Sequence, residues 1–294
     1  MRPHRSRLTP GGIVAALLAA ACAAASAQDA ARAAVQRDRE EFASWLRTSP
    51  VSPRRAVAVL AIGRGLSLGG PDGDVAIAGI ARHRIEDRDG RVRLIAPDGT
   101  RPVRRGVPLP LGTVRLIVAG LSGRSTLTVF GAELRGGKEP VWFDDDPRLV
   151  FAVELSPPAS PGTQRVLAPE GVEVEAREAG TVSVAIGGGR RTLRVMRLPG
   201  ESDDESELEI YFRDATNDRG TYPSGRFVAL TPAGNGRYRL DFNRARNPFC
   251  AYNTAYPCPA PWRGNLISEP IRAGERYAGG GLEAPKPPPP PRAP

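Results

Sequence analysis

Between Tyr211 and Glu275 the chain crowds Arg213, Tyr222, Arg226, Asp241, Asn243 and Asn247 into one stretch, a denser run of specific polar side chains than anything before it. Arginine offers a planar fork of donors that fits carboxylate or phosphate, and amides and a phenol can complete the recognition of a small anion. Leu208, Ile210 and Phe212 alternate with Glu209, Tyr211 and Arg213, and Tyr238, Leu240 and Phe242 alternate with Arg237, Arg239 and Asp241. Such alternation is that of strands with one buried and one polar face. Laid side by side, the two strands would bring Arg213, Asp241 and Asn243 together beside Tyr222 and Arg226. The leading expectation is a non-catalytic module that binds a small polar or anionic ligand, or a cell-envelope component, through these six residues. A second reading is a metal-independent hydrolase, with Asp241 as base and Arg213 or Arg226 stabilising the anion that develops. A third is structural: the arginines pair with Asp214 and Asp241, while Asn217, Asn243 and Asn247 cap turns.

Other chemistries find fewer residues to work with. His83 is the only histidine after residue 27 and lies between Arg82 and Arg84, with no nucleophile motif elsewhere, so a Ser-His-Asp site is not expected. One His and two Cys lack the number and spacing of a zinc set, and neither a metal nor a cofactor is expected. Gly69-Gly70-Pro71 and Gly187-Gly188-Gly189 lack the strand-to-helix setting of a phosphate loop. Asp144, Asp145 and Asp146 follow Trp142 and Phe143, a pairing of acid and aromatic found at sugar sites, yet adjacent acids point apart and read as a solvated turn. Asp72-Gly73-Asp74 lacks the further oxygen ligands of a calcium loop. Cys250 and Cys258 read as a disulfide worth roughly 2–3 kcal/mol in the chain-entropy model, with two buried thiols as the alternative.

The same stretch carries Phe212-Arg213-Asp214-Ala215-Thr216, Thr221-Tyr222-Pro223 with Gly225-Arg226, Asp241-Phe242-Asn243, Asn247-Pro248, the two cysteines, Asn265, and Ala273-Gly274-Glu275. In these steps it resembles an uncharacterised bacterial family catalogued as domain of unknown function 1684. The likeness is specific from Tyr211 to Glu275, weaker over 141–210 and faint in the N-terminal third. Two departures are Asp218-Arg219-Gly220, where the family has a bare Asn-Gly, and Ala260-Pro261-Trp262 in place of Leu-Pro-Pro. The resemblance implies a boundary and a residue list, and no reaction.

The elements that must position these residues read as β structure. Strands are expected over 56–62, 114–119, 125–130, 150–155, 172–176, 181–186, 192–197, 207–212, 226–231 and 237–242, punctuated by Gly, Pro and Asp. The fold class is all-β, a sandwich or barrel-like body of one sheet system or two β units (55–155 and 163–278), with one N-terminal amphipathic helix (28–54). Val35, Phe42, Trp45 and Leu46 recur at helical spacing, and Pro50 and Pro53 stop the helix. Residues 156–162 read as the break between units, and 279–294 as an extended proline-rich tail.

Residues 1–27 read as a signal peptide: Arg2, Arg5 and Arg7, an apolar run from Ile13 to Ala25, and Ala25-Ser26-Ala27 before a cut at Gln28. The expected destination is periplasmic or extracellular, with lipid anchoring through Cys22 as the alternative. The apolar run is shorter than the ~20 residues of a membrane span, so no transmembrane segment is expected in the mature chain. Loss of the three leader arginines lowers the net charge from +9 to +6. Acidic runs interrupt the remaining arginines, and no basic stripe with interleaved aromatics marks a nucleic-acid surface.

Overall fold

The computed structural model describes residues 10–135, 139–199 and 206–277. The proline-rich tail and the leader arginines lie outside them. Helix α1 spans Pro10–Thr48: the apolar run and the amphipathic run separated at Gln28 on sequence form one helix, with no Gly or Pro after Gly12 to break it. Residues up to Phe42 form one unit, and those from Ala43 a second. No helix among the described residues is long and apolar enough to cross a membrane.

The second unit is built of antiparallel strands. Its first half holds β1 (Ala56–Ala61), β2 (Leu66–Leu68), β3 (His83–Arg88), β4 (Arg91–Ala96), β5 (Gly99–Pro102), β6 (Leu109–Leu111), β7 (Val114–Leu121) and β8 (Arg124–Phe130). They form two four-stranded sheets, ordered β1-β8-β7-β6 and β2-β3-β4-β5. Ile85 and Leu94 of one sheet and Leu116, Val118, Leu127 and Val129 of the other belong to one buried apolar cluster. Asp87 adds a polar tie, accepting from Ser125 Oγ, Gly123 N and Arg105.

The second half holds β9 (Val141–Trp142), β10 (Val150–Glu154), β11 (Thr163–Leu167), β12 (Glu173–Ile186), β13 (Gly189–Leu198), β14 (Glu207–Phe212), β15 (Arg226–Gly234), β16 (Arg237–Asp241) and β17 (Glu275–Arg276). Among the described residues these form a seven-stranded sheet, β10-β16-β15-β14-β13-β12-β11, and a two-stranded ribbon, β17-β9. The fold is all-β after the helix, as its alternation predicts, and no sheet closes into a barrel. Strand β10, assigned on sequence to the first half, pairs instead with β16. The separate strands expected over 172–176 and 181–186 are one strand, β12. Its register shifts between Glu178 and Gly180, where φ is +141° and a Cβ would strike the Ser156 carbonyl. The glycine that reads as a break is a bulge that admits a neighbouring chain.

Strand β14 lies inside the sheet, and both its faces are covered. Leu208, Ile210 and Phe212 enter the cluster containing Val228, Leu240 and Phe242. Tyr211 enters a second cluster with Met196, Phe227 and Trp262. A further cluster joins the two halves, packing Ala56 and Phe130 with Tyr222, Cys250 and Tyr256. Beside it Asn253 donates to the carbonyls of Pro53 and Ala56 at 3.1 and 2.8 Å.

Candidate functional site

The two strands expected to be neighbours are not adjacent. Strand β15 runs between them, pairing Ile210 with Val228 on one side and Leu230 with Leu240 on the other. The six predicted binding residues therefore divide among separate places, and no common hollow forms.

Arg226 is fully buried. Its Nη2 donates to Asp214 Oδ2 at 2.8 Å and to the Ile271 carbonyl at 2.9 Å, while Nη1 reaches the carbonyls of Ala273 and Glu275. Burial pulls the guanidinium below its usual range, and the Asp214 carboxylate opposes this. Asp214 Oδ1 accepts from Thr216 N, Thr216 Oγ1 and Ile271 N. Asn217 closes the turn through Asp214 N and the Tyr222 carbonyl. Gly225, which precedes Arg226, has φ +113°, and a Cβ there would sit 2.5 Å from the Phe212 carbonyl. Only glycine passes that corner without strain.

Asp241 belongs to a different network. It caps the turn Phe242–Arg244: Oδ1 accepts from Asn243 N and Nδ2, and Oδ2 from Arg239 Nη2 at 2.8 Å. Asn243 also exchanges two hydrogen bonds with the Asp146 backbone. Asp146 itself caps a turn toward Arg148, as expected of a solvated turn. Asn247 binds Glu275 Oε2 through its backbone N and the Arg276 carbonyl through Nδ2. Arg213, half-exposed, faces Asp218 at 3.4 Å. Tyr222 is buried against Tyr277 and Cys258. Apart from half-exposed Arg213, these residues are buried and bonded to separate partners, so the structure brings them to no shared site. Asp241, 3 % exposed, has both oxygens engaged and no face open to substrate.

The expected disulfide is not formed: Cys250 and Cys258 are free thiols. Tyr252 and Tyr256 are buried. His83 Nδ1 lies 2.7 Å from the Ala81 carbonyl. Asp74 is engaged by Ser67 through N and Oγ. A cavity of about 560 Å³ lies along β1, lined by Val57, Val75, Ile77 and Val114 together with Asp74, Glu133 and Arg135.

Convergent free polar groups occur one layer outside the Arg226 network. A cleft of about 310 Å³ is lined by Phe143, Thr216, Arg219, Gly220, Arg272 and Arg276. Arg219, Arg272 and Arg276 have no carboxylate partner among the described residues, and all three line this one cleft. The buried pair positions them. Arg226 holds the carbonyls of Ile271, Ala273 and Glu275, and Asp214 holds Ile271 N, so the segment bearing Arg272 and Arg276 is fixed against the turn bearing Arg219. Strand β17 pairs Arg276 with Val141 of β9, and the Arg276 guanidinium lies 5.4 Å over the Phe143 ring. In the same segment Glu275 is buried, and burial pushes its carboxyl up to about 7 despite donors from Asn247 N and Tyr252.

Sequence reasoning passed over all three arginines. The alternation of buried Ile271, Ala273 and Glu275 with exposed Arg272 and Arg276 was a legible signal. Arg219 stood in the departure Asp218-Arg219-Gly220, where Asp218 takes φ +64° and Gly220 φ +134°.

Comparison with known proteins bears out the resemblance. The family model described as "Protein of unknown function (DUF1684)" matches residues 139–276, a span that includes every residue named in the cleft. No curated protein matches. Among solved structures, the chain is similar to the NMR structure of an uncharacterized protein from Haloarcula marismortui. It is 28% identical with a TM-score of 0.41, over 47% of this chain and 76% of that one.

Proposed function

Given a chain whose residues 139–276 match the model of the DUF1684 family, we propose that it is a non-catalytic binding module whose ligand is a small organic anion held in the arginine cleft. The observation that carries this is the set of three unpaired guanidinium groups, Arg219, Arg272 and Arg276, around one concave space. Arginine forks bind carboxylate or phosphate in two-point fashion, and clefts from about 300 Å³ accept metabolite-sized ligands. The Thr216 hydroxyl is already committed to Asp214 and Thr221, so the guanidiniums supply the polar recognition and Phe143 an apolar wall. The hydrolase alternative draws no support from Asp241.

Calorimetric titration with citrate, inorganic phosphate and a sugar phosphate tests the reading. A charge-assisted hydrogen bond is worth about 1.5–3 kcal/mol, so Arg272→Ala and Arg219→Ala are each expected to weaken binding about tenfold or more. High salt is expected to weaken it as well. Both side chains are exposed, and the thermal midpoint is expected to stay within a degree or so of the parent. Flat titrations with all three anions, or variants that bind like the parent, reject the reading.

The same proposal places the module outside the cytoplasm. Its support is the leader pattern of Arg2, Arg5, Arg7 and Ala25-Ser26-Ala27. The intact mass of the exported product is expected to correspond to a chain beginning at Gln28. An acylated Cys22 would favour the anchored form, and a full-length product would reject export.

A further inference from the structure

We propose that Cys258 and Cys250 form a redox-active dithiol, in which Cys258 attacks disulfides and Cys250 resolves the mixed disulfide. Tyr222 Oη lies 3.2 Å from Cys258 Sγ, and Cys250 packs in the same cluster as Tyr222 and Cys258. The environments are unequal: Cys258 is partly exposed, whereas Cys250 is 3 % exposed. The exposed sulfur can meet a partner, and the buried one can meet only its neighbour. That asymmetry assigns the roles.

The cluster is held firmly. Cys250 sits in the short turn Phe249–Ala251, and Asn253 ties the following residues to the carbonyls of Pro53 and Ala56. Tyr222 is fixed by Asn217 through its carbonyl and by Tyr277 against its ring, 4.9 Å between centroids. The other titratable groups that act on the sulfurs are the phenols of Tyr211 and Tyr277. No charged group is among the causes acting on either thiol, so two neutral donors do the work. They hold Cys258 down at about 7, while the interaction with Cys258 and then burial push Cys250 up. Roughly half of Cys258 is then thiolate at neutral pH, near the optimum for an attacking sulfur.

The oxidant is a disulfide, RSSR′. Cys258 thiolate forms a bond to one sulfur and expels R′S⁻. The Cys250 thiol then attacks the Cys258 sulfur, RS⁻ leaves, and the Cys250 proton goes to it. The two cysteines lose two electrons as their bond forms, and RSSR′ is reduced to two thiols. Both cysteines belong to the one cluster that also holds Tyr222. Nothing in this cycle depends on the arginine cleft.

The test uses the full chain, reduced beforehand, with oxidised glutathione as oxidant and iodoacetamide as probe. Cys250→Ser is expected to accumulate a glutathione mixed disulfide at Cys258, which the parent resolves. Cys258→Ser is expected to react at least tenfold more slowly. Tyr222→Phe is expected to move the alkylation midpoint of Cys258 from about 7 toward the ordinary thiol value of about 8.5, slowing alkylation several-fold at neutral pH. Mass mapping of the parent decides the matter even if a variant does not fold: Cys258 should be labelled before Cys250. Labelling in the reverse order, or no mixed disulfide at Cys258 in folded Cys250→Ser, overturns the proposal.

Discussion

Glu275 concentrates several demands on one side chain. It is 1 % exposed, accepts from Asn247 N and from Tyr252, and lies between Arg272 and Arg276 in sequence. Its folded value of about 7 stands above the ordinary 4.5. Between those values the folded chain holds a proton that the unfolded chain has released, so the stability it contributes is full below 4.5 and is lost as pH rises through about 7. The loss is on the order of 3 kcal/mol. Denaturant melts from pH 4.5 to 8 are expected to show this decline, and Glu275→Gln to flatten it. An unchanged slope in that variant would show that other groups carry the dependence. The buried acid was visible in sequence only as the end of Ala273-Gly274-Glu275. Its isolation depends on Asn247 and Tyr252 arriving from elsewhere in the chain.

Arg226 acts at the scale of elements, because one guanidinium fixes the end of β14, the start of β15 and the strand-like segment 271–275. Replacing Arg226 by Ala leaves the Asp214 carboxylate buried without its partner and frees three carbonyls. Breaking such a buried pair costs roughly 3–5 kcal/mol. Urea unfolding of Arg226→Ala should show that loss, and a loss under about 1 kcal/mol would mean that the network is not what joins the elements. Alternation located β14, β15 and β16 nearly to the residue, because their apolar positions recur with period two. It could not locate their order. Local pattern does not state which strand pairs with which, and the placing of β15 between β14 and β16 is what separated Arg213 from Asp241. The short strands β2 to β6, β9, β11 and β17 were not legible, since two to six residues with charges such as Arg91, Arg93 and Glu86 carry little periodic signal.

Across the whole molecule, the halves of the strand-built unit share a core. Ala56 and Phe130 from the first half pack with Tyr222, Cys250 and Tyr256 from the second, and Asn253 binds carbonyls near residue 55. A boundary at 156–162 would expose that cluster on both sides, so scanning calorimetry of the protein is expected to give one cooperative transition. Two resolved transitions would show that the halves melt independently. By itself the sequence determined the helix, the β class and the family resemblance, because each follows from local periodicity or a contiguous motif. Only the tertiary structure decided which polar groups are spent inside and which are left free. Burial and strand order committed Arg226, Asp241, Asn243 and Asn247 to internal partners, and the same bonds set Arg219, Arg272 and Arg276 around an open cleft.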